Sequence, residues 1–258
     1  ADVLTLFGNK VSARELAITL DIPVVPGTAQ ALPDTATAHT EAKRIGYPIM
    51  LKAAGGGGGR GMRMVPDAED LDEAFERCSS EAEAAFGDGT VFMEKFVVRP
   101  RHIEIQILAD GDGNTLHLFE RDCSVQLRNQ KVVEIAPAPE LDRAILDQLY
   151  ADAVKLASSA GYANAGTVEF LVMPETGEYF FIECNPRIQV EHTVTESVTG
   201  VDLVEAQFSI AGGATLKDLG LSDQSQVSTR GFAIQARVVA QGAGTISAYK
   251  EPAGPGVR

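Results

Sequence analysis

The chain has 258 residues, 45% of them hydrophobic and 22% charged, which is length enough for two packed cores and carries no signature of disorder. Its formal net charge of −14 argues against a general nucleic-acid binder or a protein that adheres to anionic membranes, and leaves room for an anionic ligand held by local Lys and Arg. Cys78, Cys123 and Cys184 lack Cys-x-x-Cys spacing, so no zinc or redox site is read from them. An odd cysteine count without a secretion signal fits a reducing compartment, and no apolar run is long enough to span a membrane. The opening ADVLTLFGNKVSARELA, without an initiator Met, and the closing PAGPGVR read as cut ends, so a longer polypeptide is expected.

Asn9 to Leu20 has helical spacing, with Val11, Leu16 and Leu20 on one side and Pro23 and Pro26 beyond. Thr35 to Ile45 predicts a second helix stopped by Gly46, and Pro48 to Ala54 a short apolar strand. Five glycines follow, Gly55 to Gly59, then Arg60, Gly61, Met62 and Arg63. Pro66 and an acidic first turn predict a helix to about Phe86. Val91 to Val98 and His102 to Ala109 predict strands. The second places Ile103, Ile105 and Ile107 on one face and His102, Glu104 and Gln106 on the other. Gly111 to Asn114 reads as a hairpin turn and Leu116 to Arg121 as its return strand. A long helix over Leu141 to Ala160 precedes strands at Thr167 to Met173 and Tyr179 to Asn185, a helix at Asp202 to Ala211 and a strand at Gly231 to Val239. The irregular alternation and the hairpins predict an α+β fold with antiparallel sheet, not a doubly wound parallel one.

The glycine run follows a strand ending in Lys52. Five glycines let backbone N–H groups approach a ligand closely and form an anion nest, and Lys52, Arg60 and Arg63 add positive charge, so a polyphosphate is the natural ligand. The run does not match G-x-x-x-x-G-K-[ST], and no acidic residue closes a βαβ unit. The alternative is a plain flexible linker, which has no need of flanking Lys and Arg. Ordering such a loop is costly, so mobility without nucleotide is expected.

Glu169 and Glu183 fall on the two arms of a hairpin. An odd-numbered loop between paired positions 173 and 179 sets them opposite one another; a two- or four-residue loop sets them on opposite faces. Two facing carboxylates repel and invite a hard cation, Mg²⁺ or Mn²⁺, unless they are simply solvated. If the chain stays extended beyond Glu183, then Glu183, Asn185, Arg187, Gln189 and Glu191 share one face and Ile182, Cys184, Pro186, Ile188 and Val190 the other. On that face Arg187 and Gln189 suit a small oxyanion and Glu191 a general base; the alternative is an exposed edge strand.

The run ECNPRIQVEHTVTE from Glu183 to Glu196 resembles the signature of the biotin carboxylase branch of the ATP-grasp superfamily. FGNKVSARELA (7–17), KAAGGGGGRGMR (52–63), MEKF (93–96), RHIEIQILAD (101–110), RDCSVQLRNQKVVEIAPAP (121–139) and NAGTVEFL (164–171) agree in order, so the resemblance covers nearly the whole chain. It implies an ATP-grasp fold, a small α+β lid over a larger mixed or antiparallel sheet flanked by helices. Residues 1–23 would begin the core, 24–97 form the lid, 98–240 carry the metal and bicarbonate sites, and 241–258 start a truncated C-terminal subdomain.

By the same resemblance, Lys10 and Lys52 contact the ATP phosphates under the loop that includes Gly57, Gly58 and Gly59. Glu94 and Lys95 line the adenine pocket, and His102 and Gln126 approach the ribose. Glu169, Glu183 and Asn185 hold Mg²⁺ or Mn²⁺. Lys131, Arg187, Gln189 and Val190 hold bicarbonate, Glu191 is its base, and Arg237 stabilises the biotin enolate. Bicarbonate attacks the γ-phosphate to give carboxyphosphate; this yields carbon dioxide and phosphate, and the phosphate deprotonates N1 of biotin. The implied partners are a biotin carboxyl carrier domain, a carboxyltransferase domain or subunit and further copies of the intact enzyme, with no nucleic acid and no membrane. The implied location is the cytoplasm, or the mitochondrial matrix in a eukaryote.

Two departures stand out: Asn129 occupies a position where the family usually has His, and an acidic loop expected after Val239 is absent from the sequence. A fragment of this kind is expected to bind ATP weakly and to turn over poorly by itself. The spelling of 131–138 and of Asn185-Pro186-Arg187 lies nearer to pyruvate and acyl-CoA carboxylases than to the separate bacterial acetyl-CoA subunit, but the acceptor binds another domain. The competing readings are another ATP-grasp carboxylate–amine ligase, which lacks the Arg-Ile-Gln-Val-Glu-His order, and a non-catalytic nucleotide-binding domain, which has no reason to keep Arg187, Glu191 and the metal ligands.

Overall fold

The computed structural model describes residues 2–54, 61–128, 130–240, 242 and 244–257, and of Lys10 the backbone alone. The elements run α1 (Asp2–Gly8), α2 (Lys10–Thr19), α3 (Thr35–Ile45), β1 (Ile49–Ala53), β2 (Met62–Val65), α4 (Leu71–Phe86), β3 (Val91–Lys95), β4 (Arg101–Ala109), β5 (Thr115–Leu127), β6 (Gln130–Ala136), α5 (Arg143–Ser159), β7 (Asn164–Met173), β8 (Glu178–Asn185), α6 (His192–Thr199), α7 (Leu203–Ala211) and β9 (Ala233–Ala236).

Two antiparallel sheets organise the chain. The smaller has order β2-β1-β3. Ile49, Leu51 and Ala53 alternate inward from β1 and meet Ala38 and Ala42 of α3 and Leu71, Ala74 and Cys78 of α4 in one apolar cluster. Burying each such large aliphatic chain is worth about 1.5–3 kcal/mol. The larger sheet has order β8-β7-β4-β5-β6-β9. On one face Ile103, Ile105, Ile107, Val168 and Phe170 pack against Phe7, Ala13 and Ala17 of α1 and α2 and against Leu149, Ala153 and Leu156 of α5. On the other face Leu108, Leu116 and Ala165 meet Leu203, Ala206 and Ile210 of α7, while α6 packs Val194 and Val198 against Ala136. Between those two apolar ends, that face is buried and polar: Glu104, Gln106, Arg121, Thr167 and Glu169 are 2% exposed or less.

The α+β, antiparallel expectation is borne out, with several local corrections. Helix α2 is capped by Asn9, whose Oδ1 accepts from the Val11 and Ser12 amides at 2.9 and 3.2 Å. It docks through Ala13 and Ala17 and leaves Val11 60% exposed, because small residues let the helix lie close on the sheet. The helix predicted from Pro66 begins only at Leu71, since Asp67 folds the preceding residues into a turn by accepting from the Glu69 amide. The strand expected to reach Val98 ends at Lys95, and that expected over 231–239 covers Ala233–Ala236. Sequence reasoning did not place α1, β2, β6 or α6.

The hairpin of β7 and β8 is the most informative correction. Met173 pairs with Glu178, so the loop is the four residues 174–177, the length that should put Glu169 and Glu183 on opposite faces. A β-bulge intervenes: Phe170 pairs with Phe181, but Glu169 pairs with Glu183, and Ile182 is the extra residue. The carboxylates therefore face one another by a different route from the one expected.

Candidate functional site

The polar face of the larger sheet brings together residues from β4, β5, β6, β7, β8 and the segment leading into α6. Lys131 of β6 stands at its centre. Its ammonium donates to Glu169 Oε1 and to Glu191 Oε1, each at 3.0 Å, and also to Glu104. The side chain is 15% exposed and the three carboxylates nearly fully buried, so one ammonium is shared by three desolvated anions, with Arg121 pairing Glu104 and Arg237 pairing Glu191 as well. Burial alone would raise the pKa of Glu169; the hydrogen bond from His102 and the charge of Lys131 outweigh it and hold the carboxyl at about 2. Glu191 moves the same way: burial raises its pKa, and Lys131 brings it below the usual carboxylate value.

His102 lies 2.6 Å from Glu169 Oε2 through Nε2, and its Nδ1 is 2.9 Å from the Gln126 carboxamide nitrogen. Both contacts are satisfied when Gln126 donates to Nδ1 and the protonated Nε2 donates to Glu169. Asn185 Nδ2 donates to Glu169 Oε1 at 2.7 Å and to Glu183 Oε1 at 3.2 Å. An amide N–H bridging two carboxylate oxygens marks a place where a hard cation fits, and the donor set of Glu169, Glu183 and Asn185 is all oxygen when the amide is turned over.

The expected extended run beyond Glu183 is not a strand. β8 ends at Asn185, the chain bends, and α6 begins at His192. Strict alternation is lost at Arg187, which is exposed although Gln189 and Glu191 at the same parity are buried, and Val190 is 63% exposed. Asn185, Gln189 and Glu191 nevertheless converge: Gln189 Nε2 donates to Glu169 Oε1 at 2.9 Å. Arg187 is exposed, its Nη2 3.3 Å from Asn185 Oδ1. Arg237 lies just past β9 and reaches into the same cluster, donating from Nη2 to Glu191 Oε2 at 2.8 Å. Its Nε is 2.6 Å from the fully buried Glu134, but the N–H does not aim at the oxygen, so this is an ion pair without hydrogen-bond geometry.

In the smaller sheet Lys52 pairs with Glu94 across β1 and β3. The Lys95 ammonium turns instead onto the carbonyls of Gly46 and Tyr47, each at 2.8 Å, at the end of α3. Gly57, Gly58 and Gly59, the expected mobility of their loop, the side chain of Lys10 and the substitution at Asn129 lie outside the described residues.

Sequence reasoning did not single out Glu104, Arg121, Glu134 or Thr195. The available signal was a charged residue inside an otherwise apolar strand, as in TLHLFER over 115–121. In a sheet covered on both faces, such a residue needs a charged or hydrogen-bonding partner.

A small three-stranded layer with its own helices and a larger sheet whose buried polar face carries the acids and Lys131 define an ATP-grasp architecture. The family model "Carbamoyl-phosphate synthase L chain, ATP binding domain" matches residues 9–219, and the chain belongs to that family. Within it the likeness is to biotin carboxylases. A pyruvate carboxylase from Aspergillus niger is 56% identical over 263 residues, which cover 97% of this chain and 22% of that protein. A Campylobacter jejuni biotin carboxylase, solved as a complex named β-γ-ATP, superposes with TM-score 0.81 at 44% identity over 91% of this chain and 51% of that one. The biotin carboxylase domain dimer of Hydrogenobacter thermophilus 2-oxoglutarate carboxylase, solved with MgADP, ADP and bicarbonate, gives 0.81 and 44% over 92% and 51%. The chain thus spans about a fifth of the pyruvate carboxylase it matches and half of each solved chain. No helix among the described residues is long and apolar enough to cross a membrane.

Proposed function

We propose that this chain supplies the nucleotide, metal and bicarbonate site for the ATP-dependent carboxylation of biotin at N1. The observation that carries the reading is the convergence of Lys131, Asn185 and Gln189 on the Glu169 carboxylate, with Glu191 on the same Lys131 ammonium and Glu183 paired opposite Glu169. Glu169, Glu183 and Asn185 would hold Mg²⁺ or Mn²⁺, which neutralises charge on the transferring phosphoryl group. Lys52, Glu94, His102 and Gln126, with Lys95, Lys10 and the loop through Gly57, Gly58 and Gly59, would receive ATP. Lys131, Arg187, Gln189 and Val190 would position bicarbonate. Glu191, kept ionised by Lys131, is suited to take its proton. Arg237, bonded to that same carboxylate, would stand beside the biotin enolate.

In this reading 1–23 and 98–240 are the core, 24–97 the lid and 241–258 the start of a further subdomain. The biotin arrives on a carrier domain and passes to a carboxyltransferase, in an oligomeric enzyme of the cytoplasm or mitochondrial matrix. The acceptor belongs to that other domain, and likeness to pyruvate carboxylases favours pyruvate. The test is Glu191→Gln in the intact carboxylase, with biotin-dependent ATP cleavage measured. Removing a general base should lower kcat roughly 10²–10⁴-fold; an unchanged rate rules Glu191 out as the base.

A further inference from the structure

Arg121 touches none of the groups assigned to substrate except Gln189, yet it is the largest fully buried side chain among the described residues. It leaves the centre of β5 and meets acceptors from three other directions. Glu104 Oε2 accepts from Nε at 3.3 Å and from Nη2 at 3.1 Å. Gln106 Oε1 and Thr195 Oγ1 accept from Nη1 at 2.7 and 3.0 Å. Thr167 Oγ1 and Gln189 Oε1 accept from Nη2 at 3.2 and 3.1 Å.

A guanidinium has five N–H donors and no acceptor. Whatever carboxamide it faces must present its oxygen. Gln189 does so, and its Nε2 is thereby aimed the other way, at Glu169 Oε1 2.9 Å off. Turning that amide over would set N–H against N–H on one side and oxygen against carboxylate on the other. Gln106 is held by the same logic, its Nε2 donating to the carbonyls of Ile107 and Gly166 at 3.2 and 3.0 Å. Glu104 spends Oε2 on Arg121 and keeps Oε1 for Lys131.

We infer that Arg121 is a positioning residue that fixes which end of the Gln189 carboxamide faces the bicarbonate and metal side of the site, and that anchors the Glu104 carboxylate by one oxygen so that the other meets Lys131. This role rests on the carboxylation reading above. It deepens that reading by naming what keeps the site donor-rich where an anion must bind beside carboxylates. A lysine keeps the charge but offers three donors from a point instead of a planar fork, so it cannot hold Glu104, Gln106 and Gln189 together.

The test uses the intact carboxylase with Arg121→Lys, assayed for bicarbonate-dependent ATP cleavage. The KM for bicarbonate should rise about tenfold, the loss of one oriented hydrogen bond to a charged group. The KM for MgATP should rise clearly less than that for bicarbonate, since Arg121 reaches the metal ligand Glu169 only through Gln189 and does not touch Lys52 or Glu94. A merely structural Arg121 would lower the amount of folded enzyme and leave the KM for bicarbonate at its wild-type value; that result, or equal changes in both constants, overturns the role. If Arg121→Lys does not fold, Thr195→Val removes one acceptor of the fork without changing charge and should move the same constant alone, by about threefold. An unmoved constant in that variant counts against the role. If the wild-type enzyme cleaves no ATP with bicarbonate, the carboxylation reading falls. The amide lock is then judged by NMR hydrogen exchange of the Gln189 carboxamide, expected slow in the wild type and faster in the variant that folds; equal rates refute it.

Discussion

Replacing Lys131 with Met isolates the electrostatics of the site from its chemistry. The methionine keeps the apolar stem and removes the ammonium that Glu104, Glu169 and Glu191 share. Uncoupling a buried ion pair costs about 3–5 kcal/mol. Glu169 points the same way: its carboxyl is held at about 2 against an ordinary 4.5, in spite of burial. Part of that belongs to His102, the first of the groups lowering it, while Glu104 and Glu191 add their own dependence on Lys131. A loss of about 3 kcal/mol at pH 7 is therefore expected, read as a lower urea midpoint by far-ultraviolet circular dichroism. The pH dependence has a sign. Without the ammonium, burial and mutual repulsion raise the carboxylate pKa values, so the penalty is present where all three are ionised and shrinks as protons replace the lost cation. The gap between wild type and variant should narrow from pH 8 to pH 5. A variant as stable as wild type at pH 7, or a gap that widens on acidification, would refute the assignment of Lys131 as the common counter-ion.

Two further outcomes follow from the same geometry. Because the folded pKa of Glu169 lies below its unfolded value, its stabilisation is complete above about pH 4.5 and is lost as pH falls toward about 2. Glu169→Gln should flatten that part of the profile of urea midpoint against pH, and an unaltered slope counts against the depressed carboxyl. Gly27→Ala places a Cβ 2.8 Å from the Met93 carbonyl oxygen and 2.9 Å from Glu94 Cγ, where Gly27 bridges to β3. A loss of about 1–3 kcal/mol is expected from the forced shift, and an unchanged Tm in calorimetry would show that the strand gives way freely.

The fold was legible where the chain is locally consistent. The alternation in 102–109 and the apolar run 49–53 name their strands, and Asn9, Gly46 and Asp202 mark helix ends by capping chemistry. Helix α6 was hidden because His192-Thr-Val-Thr is rich in β-branched residues, poor helix formers. Packing of Val194 and Val198 on Ala136 overrides that preference. In the site, Asn185, Gln189 and Glu191 were expected along an extended strand, and a bend instead brings them together. The partners of Arg121 were out of reach of any local pattern: they lie between 15 and 74 residues away, on elements whose approach only the folded sheet determines.

The bulge at Ile182 bears on how this hairpin tolerates change. With Met173 paired to Glu178, the extra residue further down β8 sets which face Glu183 takes, the one it shares with Glu169. If the bulge were ironed out with the same residues, Glu169 would pair with Ile182 and Glu183 would turn to the other face, whereas losing one residue from 174–177 shortens the loop and leaves the Met173–Glu178 and Glu169–Glu183 pairs in place. Changes of length at the solvent-facing end of this hairpin can thus be absorbed by the loop, while the stretch from Phe181 to Glu183 is where a change of local pairing would carry a carboxylate out of the site.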